Sequence, residues 1–138
     1  MSEEEIQALA ELLHSFVIRS QPCENFINEL CEIYLKKGED LKAIENSYFI
    51  LKRFIREKLD NGVVEIPENL TITRNQITFV KVVSIIWKKL SFKQKSVYGK
   101  IRKNIEIKVK ENYPNWKPNQ YRIKATLKTK QGRGICVS

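Results

Sequence analysis

From Ile6 to Leu59 the apolar residues return every three or four positions, and that spacing commits the first half of this chain to amphipathic helices. Ser2 followed by Glu5 fits a capping box, and Ile6, Leu9, Leu13, Phe16 and Val17 then mark the inner side of a first helix ending near Arg19. Pro22 suits the first turn of a second helix, with Phe26, Ile27, Leu30, Ile33 and Tyr34 facing inward and Gly38 as its stop. Asp40 is placed to cap a third, whose inner face is Leu41, Ile44, Tyr48, Leu51, Ile55 and Leu59 and whose end is Asn61-Gly62. These three helices are expected to form a unit.

The second half carries different patterns. Val63 to Thr73 is rich in β-branched residues around Pro67-Glu68-Asn69, which suggests a short hairpin or an extended crossover near 63–73. Ile77 to Leu90 is apolar on most sides, as in a central helix touching several neighbours, with a buried strand as the alternative. Ser91 can cap a helix running to about Asn112. Along it Val97, Tyr98, Ile101, Ile105 and Val109 share one side, and Lys93, Lys100, Lys103 and Lys110 share the other. Pro114 and Pro118 then forbid a continuous helix. From Tyr121 to Lys130 the residues alternate, with Arg122, Lys124, Lys128 and Lys130 on one face, and Gln131-Gly132-Arg133-Gly134 can turn the chain into a partner strand, Ile135-Cys136-Val137. The expected fold is therefore mainly α, a bundle of four to five helices with a small β-hairpin at the basic C-terminus and a second short hairpin near 63–73. At 138 residues it is expected to be a single domain over 1–138.

Charge divides that domain in two. Residues 1–69 hold 8 Lys and Arg against 14 Asp and Glu, whereas residues 70–138 hold 17 against 2, giving the net +9. A surface whose only acids are Glu106 and Glu111 repels itself unless a polyanion or an acidic partner neutralises it. Nucleic-acid backbone contact is the function this polarity favours. The candidate contacts are Lys93, Lys100, Lys103 and Lys110 on the helix, Lys117 in the proline loop, and Arg122, Lys124, Lys128, Lys130 and Arg133 in the hairpin. Cations on one face of a strand recur roughly every 6.5 to 7 Å, close to the spacing of successive phosphates. Lysines on an edge strand also guard against aggregation, and a lysine stripe on a helix is also met as a solvated face. Tyr113 and Trp116 have the rings to stack on unpaired bases, although a proline-framed tryptophan more often covers the end of a core.

Catalysis has no visible apparatus. His14 is the only histidine and has no ligand or nucleophile partner at a useful spacing. Cys23, Cys31 and Cys136 lack close pairing and read as reduced thiols, and no glycine-rich phosphate loop or dinucleotide fingerprint is present. No enzyme activity, metal or cofactor is expected. The opening Met1-Ser2-Glu3-Glu4-Glu5 lacks the basic start and apolar core of a secretory signal, and Ile77 to Trp87 is too short to span a membrane. An intracellular protein, not secreted and without a membrane partner, is the expectation.

Leu90-Ser91-Phe92-Lys93-Gln94-Lys95-Ser96-Val97-Tyr98 resembles the opening helix of many winged helix-turn-helix domains, and the C-terminal strand-turn-strand with Arg133 at its tip is similar to their wing. The resemblance covers residues 90–138 and implies DNA binding. It names no base-reading residue, because Asn104 to Asn119 reads as a basic helix and a proline loop where those domains carry a recognition helix. Two other readings stand beside it: a small helical subunit of a larger nucleoprotein complex, similar in size and basic helical character to the small subunits of CRISPR effector complexes, and an adaptor whose basic half meets an acidic protein.

Overall fold

The computed structural model describes residues 2–67 and 76–118, and over them the protein is mainly helical, with five α-helices and no strand among the described residues. The first, α1 (Glu3–Arg19), begins where the capping box predicts: the Ser2 hydroxyl accepts from the Glu5 amide at 3.2 Å, and the Glu5 carboxylate accepts from the Ser2 amide at 2.9 Å. The second, α2 (Glu24–Lys37), starts two residues beyond Pro22, with Cys23 as its N-cap, so the proline leads into the helix from outside its first turn. It buries Phe26, Leu30, Cys31 and Tyr34, whereas Ile33, expected inside, is exposed. Gly38 ends it at φ 58°, and the Tyr113 ring lies 3.5 Å from where a Cβ would stand. The positive φ favours glycine there, whereas the Tyr113 side chain stands at ordinary contact distance.

The third helix corrects the sequence reading. After a 3-10 turn at Gly38–Asp40 the chain stays irregular to Asn46, whose side chain accepts from the Phe49 amide at 3.1 Å and caps α3 (Ser47–Asp60). Leu41 and Ile44 are buried as expected, but from an irregular segment. Its backbone is satisfied by distant side chains: Trp116 Nε1 donates to the Leu41 carbonyl at 2.6 Å, Arg102 Nε to the Glu45 carbonyl at 3.2 Å, and the Glu45 amide to the Tyr34 hydroxyl at 3.2 Å. These bonds replace the helical ladder over these residues.

The fourth and fifth helices, α4 (Gln76–Lys89) and α5 (Phe92–Asn112), meet at a corner of two residues. The apolar run is thus a helix and not the alternative strand, and it buries Phe79, Val82, Val83 and Ile86. Ser91 and Gln94 make a second capping box, which sets the start of α5. Of the hairpin suggested near 63–73, the part from Val63 to Pro67 forms no strand and the remainder lies outside the described residues. The C-terminal hairpin, 121–137, also lies outside them.

The first three helices do not close on one another as a separate unit. Each makes its most extensive contact with α4 or α5: α1 with α4, α2 with α5, and α3 with both. Tyr48 bonds to Ser84 at 3.0 Å while Arg56 lies on the Phe79 ring, so α3 and α4 run antiparallel. Phe54 is the hub of the core. Its ring meets Phe16, Phe26 and Tyr98 at centroid distances of 6.1, 5.4 and 6.4 Å, joining α1, α2, α3 and α5 in one aromatic cluster.

Candidate nucleic-acid interface

Helix α5 is two-sided because its sequence alternates aliphatic and cationic residues at helical spacing. Tyr98, Ile101, Ile105 and Val109 are buried, and Lys93, Lys100, Lys103 and Lys110 are exposed on the other side. At a rise of about 1.5 Å per residue, the row from Lys93 to Lys110 covers roughly 25 Å. Lys110 lies 3.8 Å from Glu106; among the described residues Lys93, Lys100 and Lys103 make no ion pair. Lys117 is exposed beyond the end of the helix. Arg122, Lys124, Lys128, Lys130 and Arg133 lie outside the described residues.

The fold adds cations that the α5 pattern alone did not single out. Lys88 and Lys89 are exposed in the last turn of α4, and the two-residue corner carries them beside the start of α5. Lys95 holds its ammonium 5.2 Å from the centre of the Trp87 ring, a cation–π contact that keeps it on the same corner. Lys108 is exposed on the flank of α5 toward α2. Arg102 goes the other way, turned inward onto the Glu45 carbonyl. The signal for the corner was present in the sequence: Asn69 to Ile105 contains no acid at all.

Both proposed base-stacking rings have structural duties instead. Trp116 is 5% exposed and its indole nitrogen is held by the Leu41 carbonyl, so it covers the end of the core. Tyr113 donates to the Leu35 carbonyl at 3.1 Å and packs on Gly38. Phe92, which helical periodicity does not single out, is 88% exposed at the first position of α5.

A second concave feature lies among α2, α3 and the start of α4, a groove of about 590 Å³ lined in part by Phe26, Ile33, Phe49 and Phe79. Its charges are mixed, with Lys52, Arg53 and Arg56 facing Glu29, Glu45, Glu57 and Asp60. Glu45 is the centre of a network on its wall: it accepts from Arg53 Nε at 2.6 Å and from the Tyr34 hydroxyl at 2.7 Å. Burial raises the Glu45 carboxyl, but the hydrogen bonds from Arg53 and Tyr34 and the charges of Arg53 and Lys37 outweigh it and leave it below the ordinary carboxylate value. Burial, assisted by Glu45, pushes the Tyr34 phenol up to about 12. Burial likewise raises the Cys31 thiol, with Lys108 opposing, and the Tyr98 phenol. These shifts arise from burial and from the hydrogen bonds and charges around Glu45.

Among the described residues no group of three His, Cys, Asp or Glu is placed to hold a metal ion, and no helix is long and apolar enough to cross a membrane. His14 has a buried Nε2 with no hydrogen-bond partner among the described residues. The chain matches no protein-family model, no curated protein and no solved structure.

Proposed function

We propose that this protein binds nucleic acid without catalysis, holding the phosphate backbone on the exposed lysine face of α5 and the adjoining α4–α5 corner. Arg122, Lys124, Lys128, Lys130 and Arg133 continue the run of basic residues along the sequence. One observation carries the reading. The described ion pairs are Arg53–Glu45, Lys58–Glu57 and Lys110–Glu106, and none of them joins an acidic helix to α4 or α5. The lysine face therefore does not serve to hold the bundle together, and the apolar side of the same helix already supplies its share of the core. A row of cations about 25 Å long, in which Lys110 alone has an acidic partner among the described ion pairs, fits a polyanion, whose condensed counterions are released on contact.

The test is fluorescence anisotropy with labelled single- and double-stranded DNA and RNA over a salt series. It is run on the wild type, on Lys93, Lys100 and Lys103 changed together to Glu, and on Lys124, Lys128 and Lys130 changed together to Glu. Affinity should fall steeply with salt, and each lost phosphate contact should flatten the log–log slope by about 0.7 for single strands and about 0.9 for duplex. Absence of binding at low salt overturns the proposal. Capture of an acidic protein that survives physiological salt would replace it with the adaptor reading. The reading as a subunit of a larger nucleoprotein complex is favoured by Ile33 and Phe49, exposed apolar residues lining the groove on the acidic half, and predicts tight nucleic-acid binding only with partner subunits present.

A further inference from the structure

We infer that Phe92 is a base-stacking platform, which makes the partner of the basic face a single-stranded nucleic acid. The inference rests on the proposed function and names its substrate class. Phe92 does nothing for the fold that the structure reveals. The helix start is secured by Ser91 and Gln94, whose side chains and amides satisfy each other at 3.1 and 2.8 Å. The Phe92 ring is 88% exposed, whereas of the other described aromatics the most exposed is Phe49 at 39%. Single exposed apolar residues are ordinary on protein surfaces, so exposure by itself decides nothing. The setting does.

Within the eight residues Lys88 to Lys95 stand four lysines, this one bare ring and no acid. Along α5, at 100° per residue, Phe92 is within about 20° of Lys103 and in line with Lys110, roughly 27 Å down the axis. A strand laid along the helix meets phosphate partners at Lys100, Lys103 and Lys110 and a ring at the corner. Unpaired bases expose their faces to such a ring, and paired bases keep theirs inside the stack.

Two other occupants fit less well. An anionic membrane surface takes an amphipathic helix by its apolar face, and the apolar face of α5 is buried in the core, leaving one ring to insert. A duplex admits an apolar wedge only where base steps are unstacked, whereas a single strand offers its base faces without that cost.

The experiment uses the full chain, with Phe92→Ala, Phe92→Leu and Phe92→Trp compared against wild type on labelled oligo-dT, oligo-U and a duplex of equal length. Because the ring is exposed, none of these substitutions removes core packing, and circular dichroism confirms that each variant is folded. Phe92→Ala and Phe92→Leu should each weaken single-strand binding by about fivefold or more, the lower end of what one stacked base contributes, with Phe92→Trp restoring it. Duplex affinity and the salt slope should not change, since no phosphate contact is lost. If Phe92→Leu binds single strands like wild type, or if duplex affinity falls in parallel, the inference is overturned while the phosphate-binding proposal stands. If wild type binds no oligonucleotide but binds phosphatidylserine vesicles in a Phe92-dependent way, both are overturned.

Discussion

Glu45→Ala removes a carboxylate that ties α2 and α3 to the segment between them, and its cost is calculable from the geometry. The carboxylate accepts from the buried Tyr34 hydroxyl at 2.7 Å, a charge-assisted bond whose loss costs about 1.5 to 3 kcal/mol because the phenol hydrogen is left without an acceptor. The phenol oxygen keeps its bond from the Glu45 amide, which survives the substitution. The ion pair with Arg53 adds little: the two side chains are 35% and 40% exposed, so solvent screening holds it to about 0.5 kcal/mol. The expected loss is about 2 to 3.5 kcal/mol, equivalent to roughly 7 to 12 °C in melting temperature for a domain of this size. Urea unfolding followed by circular dichroism measures it, with the m value unchanged. Glu45→Gln retains an acceptor for Tyr34 and should lose only about 1 kcal/mol. Tyr34→Phe removes the same bond from the other side, so the double variant should show a coupling of about 1 kcal/mol or more. Glu45→Ala within about 0.5 kcal/mol of wild type, or strict additivity with Tyr34→Phe, would refute the reasoning.

The same network predicts an alkaline response: the Tyr34 phenol titrates higher folded than unfolded, so its contribution is complete below the ordinary tyrosine value near 10 and disappears as pH rises through about 12. Urea midpoints over an alkaline series should therefore fall less steeply in Tyr34→Phe than in wild type. Trp116→Phe keeps the ring and orphans the Leu41 carbonyl, at an expected cost of about 1 to 2 kcal/mol in urea unfolding and with near-ultraviolet circular dichroism otherwise retained. Gly62 sits at φ 68° with nothing within 4 Å of a Cβ, so Gly62→Ala should cost only the backbone strain, about 1 kcal/mol, and Gly62→Asn less. Lys100→Glu turns a like-charge pair with Lys103 into an attractive one at i,i+3; it should stabilise the fold by about 0.2 to 0.5 kcal/mol while weakening nucleic-acid binding, and a loss of stability would count against the charge argument.

How much of this was legible in the sequence depended on how local the determining interaction is. The starts of α1 and α5 are set by capping boxes complete within four consecutive residues, and both were placed correctly. The start of α3 was misplaced because Leu41 and Ile44 continue the helical spacing of Tyr48 and Leu51, while the groups that hold them out of the helix are Trp116 and Arg102, 75 and 57 residues away from their acceptors. The lysine face of α5 was readable because the buried side of a helix determines the other side. The outward position of Phe92 and the inward turn of Arg102 were not, since each depends on which helix lies alongside. Trp116 offered two roles in the sequence, and only the Leu41 carbonyl decides between them.

The way the helices pair sharpens what the charge is for. Acidic α1 packs on α4 and α2 on basic α5, so the fold places opposite charges on neighbouring elements. The described ion pairs do not link them: they lie within α3 and the segment before it, or within α5 itself. Arg102, the α5 cation that does reach across, bonds a backbone carbonyl and not a carboxylate. Lys93, Lys100 and Lys103 face solvent with no acidic partner among the described residues, and their mutual repulsion lowers the stability of the folded state. On the proposed function, that repulsion is relieved when a polyanion neutralises the face. The exposed ring of Phe92 lies at the corner where the cations are densest, so its substitution separates base stacking from phosphate contact.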